Sequence, residues 1–405
     1  MIKLPQGWEV KKLGDIVEIQ IGKTPSRNNI DFFQGKNIWL SIRDLKSKFV
    51  SSSNEKISND AILKTNMKIV PKGTLLMSFK LTLGKTAFAD CDLYTNEAIA
   101  AIFIKDKNIN KYFLDYALKF ADLEKYVDNA VKGKTLNKQK LKQIEILLPS
   151  LKEQERIVGI LDEGFAKIDE SIKILEQDLL NLDELMQSAL QKAFNPLKDN
   201  TKENYKLPQG WEWKSLGEFC EINPRNKIDD EINVSFVSMN KILDGYSNEF
   251  SYAIKKWKDV KNGFTHFKQG DIGLAKITPC FENKKSVIFD DLENGVGAGT
   301  TELHVIRAVD NVISKFLLWF FKTEKFIQNG ILNMTGATGH KRIPKDFIKN
   351  LQIPLPPLQE QEQIASYLDE LSSHVKNLKQ NYQMQIKNLQ ELKKSLLDKV
   401  FQGRL

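Results

Sequence analysis

The chain of 405 residues opens the same way twice. Residues 4–19, LPQGWEVKKLGDIVEI, return at 207–222 as LPQGWEWKSLGEFCEI, with 11 identities in 16 positions. LPSLKEQERI (148–157) returns as LPPLQEQEQI (355–364), and NLDELMQSALQKAF (181–194) as NLQELKKSLLDKVF (388–401). The residues between these matched ends hardly align. A chain that repeats its ends but not its middle is two copies of one frame carrying two different inserts. Its length also asks for more than one hydrophobic core.

Each copy reads in three parts. The first is LPQGW, where Pro and Gly set a turn and Trp8 or Trp211 supplies a large apolar anchor. The second is a mixed insert with strand-like runs such as AIAAIFI (98–104), SVIF (286–289) and TELHVI (301–306), and helix-like runs over 109–127 and 312–329. GVGAGT (295–300) is Gly-rich without a GxGxxG pattern and reads as a turn. The third part is a long helix. The predicted fold class is α+β: two α/β-type domains over 1–149 and 201–355, with long helical segments over 150–200 and 356–405.

Ser150 and Glu153 form an S-x-x-E capping box, so the first helix should begin there and stop at Asn195–Pro196. Its apolar residues, Leu161, Phe165, Ile168, Ile172, Leu175, Leu179, Leu182, Met186 and Ala189, alternate gaps of four and three, a heptad seam. The second helix follows Pro356–Pro357, with a seam of Ile364, Leu368, Leu371, Val375, Leu378, Tyr382, Gln385, Leu389, Leu392 and Leu396. Gln385 is its one polar member, and Ile386 takes that place if the phase drifts. Two such helices in one chain most simply pack on each other. A pseudo-two-fold repeat makes them antiparallel, and about 40 residues each makes them about 60 Å long.

Composition narrows the functional classes. Net charge is +8, distributed as +9 over 1–150 and −4 over 151–206. A basic insert suits a polyanion and an acidic helix suits a protein partner, although lysine bias alone could produce the same totals. Cys91, Cys220 and Cys280 form no CxxC, and His266, His304, His340 and His374 have no metal spacing. No apolar run is long enough for a membrane span, and the start shows no secretory signal, so a reducing cytoplasm is expected. IGKTP, LGKTA and KGKTL lack the upstream Gly of a Walker A, where Val17, Phe79 and Asp128 stand instead. INPRN (222–226) lacks the second Pro and the aromatic of an amino-methyltransferase motif. The chain is expected to catalyse nothing by itself and to bind no metal or cofactor.

The twice-written LPxGW, the LPxLxEQExI segments and the trailing L-x-x-L-x-x-S-x-L-x-x-x-F together resemble the DNA-specificity subunit of type I restriction–modification systems. GKTPSRNN (22–29) with FFQGKNIWLSIRDL (32–45), including Trp39 and Asp44, resembles one target-recognition subtype, and INPRNK (222–227) with VSFVSMNKI (234–242) another. The resemblance implies two target-recognition domains that read an asymmetric, bipartite double-stranded DNA site. It also implies two modification subunits that methylate adenine with S-adenosylmethionine, and motor-nuclease restriction subunits. S-adenosylmethionine, ATP and Mg would sit on those partners, with the helices as docking frame. Phosphate contacts should come from Lys and Arg, base readers should be Arg to guanine and Asn or Gln to adenine, and the positions to look are Gly-, Pro- or Asn-flanked loops. The candidates are Lys23, Thr24, Ser26, Arg27, Arg43, Lys80, Lys85, Lys132 and Lys134 in the first insert. In the second they are Arg225, Asn226, Lys227, Lys276, Lys284, Lys285, His340, Lys341 and Arg342. A solvated surface charge competes with a DNA contact at each of them, and a coiled-coil adaptor without a DNA role competes for the whole chain.

Overall fold

The computed structural model describes residues 6–130, 133–194, 207–309, 311–337 and 339–404. It divides into two compact units, one of residues 1–173 and 386–405 and one of residues 174–385. Both long helices are therefore shared between the units rather than forming segments apart from them.

Each unit starts from the same base. Strand Glu9–Lys12 pairs antiparallel with Glu145–Leu148, and Glu212–Ser215 pairs with Gln352–Leu355. The ribbon closes each insert on itself, so the chain leaves the insert beside the point where it came in. Trp8 then packs edge-on to Phe113, and Trp211 is buried with its indole N–H donating to Glu360 (3.0 Å).

Above the ribbon the inserts share a strand order that their sequences do not display. In the first unit the main sheet runs Val17–Ile21, Ile99–Ile104, Leu75–Ser78, Thr86–Ala89, Phe49–Val50. In the second it runs Cys220–Ile222, Leu303–Ala308, Ile272–Ala275, Ser286–Ile288. A second sheet in each contains one parallel pair, Asn37–Leu40 beside Tyr94–Thr95 and Asn233–Val237 beside Val296–Gly299. This corrects the reading of GVGAGT as a turn: Val296–Gly299 is an interior strand. Its glycines answer to close approach, since a Cβ on Gly297 would lie 2.1 Å from the Phe267 ring and 2.6 Å from the Ser235 carbonyl. The long helix-like runs are also shorter than expected, Lys111–Phe120 in the first unit and Ser314–Phe321 with Glu324–Asn333 in the second.

The long helices span Leu151–Phe194 and Leu358–Phe401. The second starts directly after Pro357, whose carbonyl accepts from Glu360 and Gln361. Asp169 meets Lys393 (2.6 Å) in the first unit and Asp183 meets Lys379 (2.5 Å) in the second. The higher number on one helix meets the lower on the other, so the helices run antiparallel. Every seam residue named on the first helix is buried or half-buried. The second helix departs from its expected phase: Leu378 and Leu392 are 39% and 53% exposed, and Gln385 is exposed. Its seam passes instead through Lys379, Tyr382, Ile386, Leu389, Lys393, Leu396 and Val400, all half-buried or buried. The lysine stems lie along the seam while their amines reach the aspartates, a use of amphipathic side chains that a search for apolar residues overlooks.

The repeated words fasten helix to insert. Gln154, the middle residue of EQE, is 1% exposed; its amide donates to the Asn108 and Pro149 carbonyls and accepts from Asn110 N–H. Gln361 makes the same set with Asn311, Pro356 and Ile313. About two turns further on, Asp162 accepts from the Tyr116 hydroxyl and Lys48, and Asp369 accepts from the Trp319 indole and Lys315. The terminal phenylalanines are exchanged. Phe401 lies in the first unit's core against Trp8, Phe113 and Phe120, and Phe194 lies in the second unit's core against Phe316 and Phe320.

Candidate nucleic-acid interface

In the first unit the 22–29 loop is anchored before it is displayed. Gly22 passes so close to the Thr95 and Asn96 carbonyls that a Cβ would stand 2.0 and 2.4 Å from them. Trp39 is buried and its indole N–H donates to the Lys23 carbonyl (3.0 Å). The Lys23 amine caps the C-terminus of helix Asn59–Thr65 through the Thr65 and Asn66 carbonyls, and Thr24 donates to Glu97. Arg27 grips Glu55 with both nitrogens and lies 4.3 Å over the Phe33 ring. That hydrogen bonding lowers the Glu55 carboxyl pKa and raises that of Arg27. Lys23, Thr24 and Arg27 thus hold the loop's shape, and Ser26 is exposed on it with its carbonyl accepting from Asn29 N–H (3.2 Å). A cavity of about 300 Å³ beside the loop is lined in part by Gln20, Lys23, Lys68 and Lys138.

Asp44 is a framework residue: it caps its own turn through Ser41 and accepts from Asn54 N–H (3.0 Å). Arg43, one position before it, points outward and is exposed. Lys80 and Lys85 flank the connection between strands Leu75–Ser78 and Thr86–Ala89, Lys80 half-buried and Lys85 exposed. Lys132 lies outside the described residues; Lys134 belongs to strand Gly133–Thr135, with its side chain outside them as well.

In the second unit INPRNK is suspended from two buried histidines. Asn223, at φ 57°, accepts from Val305 N–H and donates to His304 Nδ1 (3.3 Å), while His304 Nε2 donates to the Ile343 carbonyl (2.9 Å). His266 Nδ1 accepts from Asn226 N–H (3.2 Å) and its Nε2 donates to the Lys261 carbonyl (2.9 Å). Both ends of the Asn226 side chain are engaged, the amide donating to the Phe267 carbonyl and the oxygen accepting from Arg307. Arg307 in turn is held two-pronged by buried Asp271 (2.9 and 2.7 Å). Asn226 therefore acts in shaping the loop. Arg225 is exposed beside it, braced on the Phe264 carbonyl, and Lys227 is exposed at the rim of an open cavity of about 610 Å³.

The other candidates of this unit separate in the same way. Lys285 turns inward to the Met239 and Ile242 carbonyls, and Lys284 is paired with Glu324 at 14% side-chain exposure. Arg342 forks onto Glu302 (both 2.8 Å). His340 and Lys341, at the tip of the same turn, are exposed, and Lys276 is half-buried. Among the described residues no group of His, Cys, Asp and Glu could hold a metal, and no helix is long and apolar enough to cross a membrane. Sequence reasoning missed Arg307 and weighed His266 and His304 only as metal ligands. The available signal was polar residues inside the apolar runs LHVIRA and THFK.

Each unit thus offers a hydrogen-bonded loop with exposed basic side chains on a repeated base. The type I restriction modification DNA specificity domain model matches residues 5–179 and again 208–388. The chain belongs to this specificity family. Among curated members, the EcoAI specificity subunit of Escherichia coli is 45% identical over 218 residues, 53% of this chain and 37% of that protein. The EcoEI specificity subunit, also from E. coli, is 43% identical over 48% of this chain and 33% of that protein. The matched stretch is thus about a third of the length of these two relatives. The MjaIX specificity subunit of Methanocaldococcus jannaschii is 26% identical across all of this chain and 94% of its own length. Two solved structures share the fold at 20% identity: a chain from work on assembly and conformational transition of the type I R-M system (TM-score 0.76, all of both chains), and the HsdS subunit of Thermoanaerobacter tengcongensis (TM-score 0.55, 100% and 98%).

Within this specificity-family chain the two units should differ in acid sensitivity. Burial lowers the pKa of both His266 and His304 below the ordinary 6.5, and nearby Arg225 and Lys276 add to it. A lowered folded-state pKa means the unfolded chain binds protons first, so stability present above about 6.5 is lost as pH falls below it. All four histidines belong to the second unit. Hydrogen exchange corrected for intrinsic rates should show residues 220–227 and 303–308 losing protection between pH 7.5 and about 5.5, with residues 99–104 unchanged.

Proposed function

We propose that this chain is the DNA-recognition subunit of a type I restriction–modification complex and reads an asymmetric bipartite site, one half-site per insert. The observation that carries this is the repeat itself: one base and one strand order used twice, with unlike loops displayed on each copy. Arg43, Lys80, Lys85 and Ser26 in the first insert, and Arg225, Lys227, Lys276, His340 and Lys341 in the second, are the residues left to meet DNA. Lys23, Thr24, Arg27, Asn226, Lys284, Lys285 and Arg342 act behind them by holding the loops. Phosphate contacts from the lysines set register and affinity, and arginine contacts to guanine edges discriminate sequence.

The acidic first helix suits docking of two modification subunits, with restriction subunits joining that assembly. S-adenosylmethionine, ATP and Mg belong on those partners, and flipping the adenine is their task. The chain contributes recognition and scaffold rather than catalysis, in the cytoplasm. Genome-wide mapping of N6-methyladenine with and without this gene tests the reading. Loss of one asymmetric two-block motif on deletion is the expected result. An unchanged methylome, with an active modification partner present, would overturn it.

A further inference from the structure

Seven described residues other than glycine hold a positive φ. Five are Asn or Asp, whose short polar side chains tolerate that region, and a sixth is Lys284. The seventh, Leu81 at φ 62°, is the only apolar one, and it is 71% exposed. Thr82 N–H donates to the Lys80 carbonyl (2.7 Å), closing a three-residue turn around Leu81 of the rare, strained class. The turn is braced from below by Ser78, which is fully buried. Its hydroxyl donates to the Thr82 carbonyl (2.6 Å) and accepts from Lys85 N–H (3.0 Å), and its own carbonyl accepts from Gly84 N–H (3.0 Å).

Asparagine or glycine at position 81 would make this turn with less strain, and a polar side chain there would be better solvated. The braced turn instead presents a bare leucine to solvent between Lys80 and Lys85. The matching connection in the second unit, residues 276–285, does the reverse: Phe281 is fully buried and Lys284 and Lys285 turn inward.

We propose that Leu81 is an apolar probe of the first half-site, buried against the bases on binding while Lys80 and Lys85 take the flanking phosphates. The inference rests on the DNA-recognition reading above. DNA offers an exposed leucine two apolar contacts, a base step opened by a wedge and the thymine methyl in the major groove. Both remove Leu81 from water, and neither is available from the phosphate backbone.

The test uses the full chain with its modification subunits and a duplex carrying the site found by methylation mapping. Leu81→Asn suits the positive φ, so its thermal stability should equal or exceed that of the unmodified chain. Its affinity should fall roughly tenfold, with the slope of log Kd against log salt unchanged because the phosphate contacts remain. Leu81→Met should retain affinity. Binding by Leu81→Asn within about twofold of the unmodified chain overturns the inference while leaving DNA recognition standing. Failure of the unmodified chain to prefer the mapped duplex brings down the DNA reading, and the inference with it. Where affinity falls, the contact is identified separately. A 2-aminopurine signal in the first half-site that Leu81→Asn abolishes marks step insertion, and loss reproduced by replacing thymine with uracil marks methyl contact.

Discussion

Phe401→Ala is expected to unfold the first unit at lower denaturant than the second, although residue 401 lies far along the chain from that unit's insert. Phe401 is fully buried, stacks on Phe120 (4.8 Å, 11° between planes) and touches Phe113 and Trp8. Truncating such a side chain costs about 3–5 kcal/mol, a large share of a domain stability of about 5–15 kcal/mol. Hydrogen exchange during urea titration should show residues 9–12 and 111–120 opening early. Phe194→Ala should instead release residues 314–321, because Phe194 packs on Phe316 and Phe320. If Phe401→Ala loosened residues 314–321 as much as 111–120, the exchange of helix ends between units would be wrong.

Arg307→Ala should damage the second unit in two ways at once. It leaves the buried Asp271 carboxylate without its two-pronged partner, and removing one member of a buried pair costs about 3–5 kcal/mol. It also frees the Asn226 carbonyl oxygen, one of the anchors that aim Arg225 and Lys227. On a bipartite duplex, discrimination should therefore weaken at the second half-site and persist at the first. Arg307→Met with Asp271→Leu should recover part of the stability, since no charge is then stranded, without recovering the discrimination. Equal recovery of both would mean that the loop does not depend on Arg307 for its aim.

The frame was legible because its contacts demand particular residue types. A buried amide that donates to two carbonyls and accepts from one N–H can only be Gln or Asn, so Gln154 and Gln361 survive as identical letters in both copies. The inserts were opaque for the opposite reason. A buried strand asks only for apolar residues, so two inserts keep one strand order while sharing hardly any sequence, and Val296–Gly299 reads as a turn although it is a strand. The site was legible as loops but not as side chains. Arg27, Asn226 and Lys285 occupy the expected loops, yet Glu55, Arg307 and the Met239 and Ile242 carbonyls, each distant in sequence, claim them. The phase of the second helix was misjudged at Leu378 and Leu392 because Lys379 and Lys393 lie on its seam in ion pairs, which a pattern of apolar spacing does not register.

The exchanged helix ends also impose an order on synthesis. The first insert leaves the ribosome long before Leu396, Val400 and Phe401, which its core requires. At about 5–20 residues per second, the roughly 250 residues that separate them occupy on the order of tens of seconds. During that interval the pocket around Phe113 and Phe120 stays open, and the newly made Leu151–Phe194 helix ends in a phenylalanine and has no partner yet. The nascent chain therefore carries an exposed apolar surface for which the homologous helix end, its own or that of a neighbouring chain on the same message, is a fitting occupant.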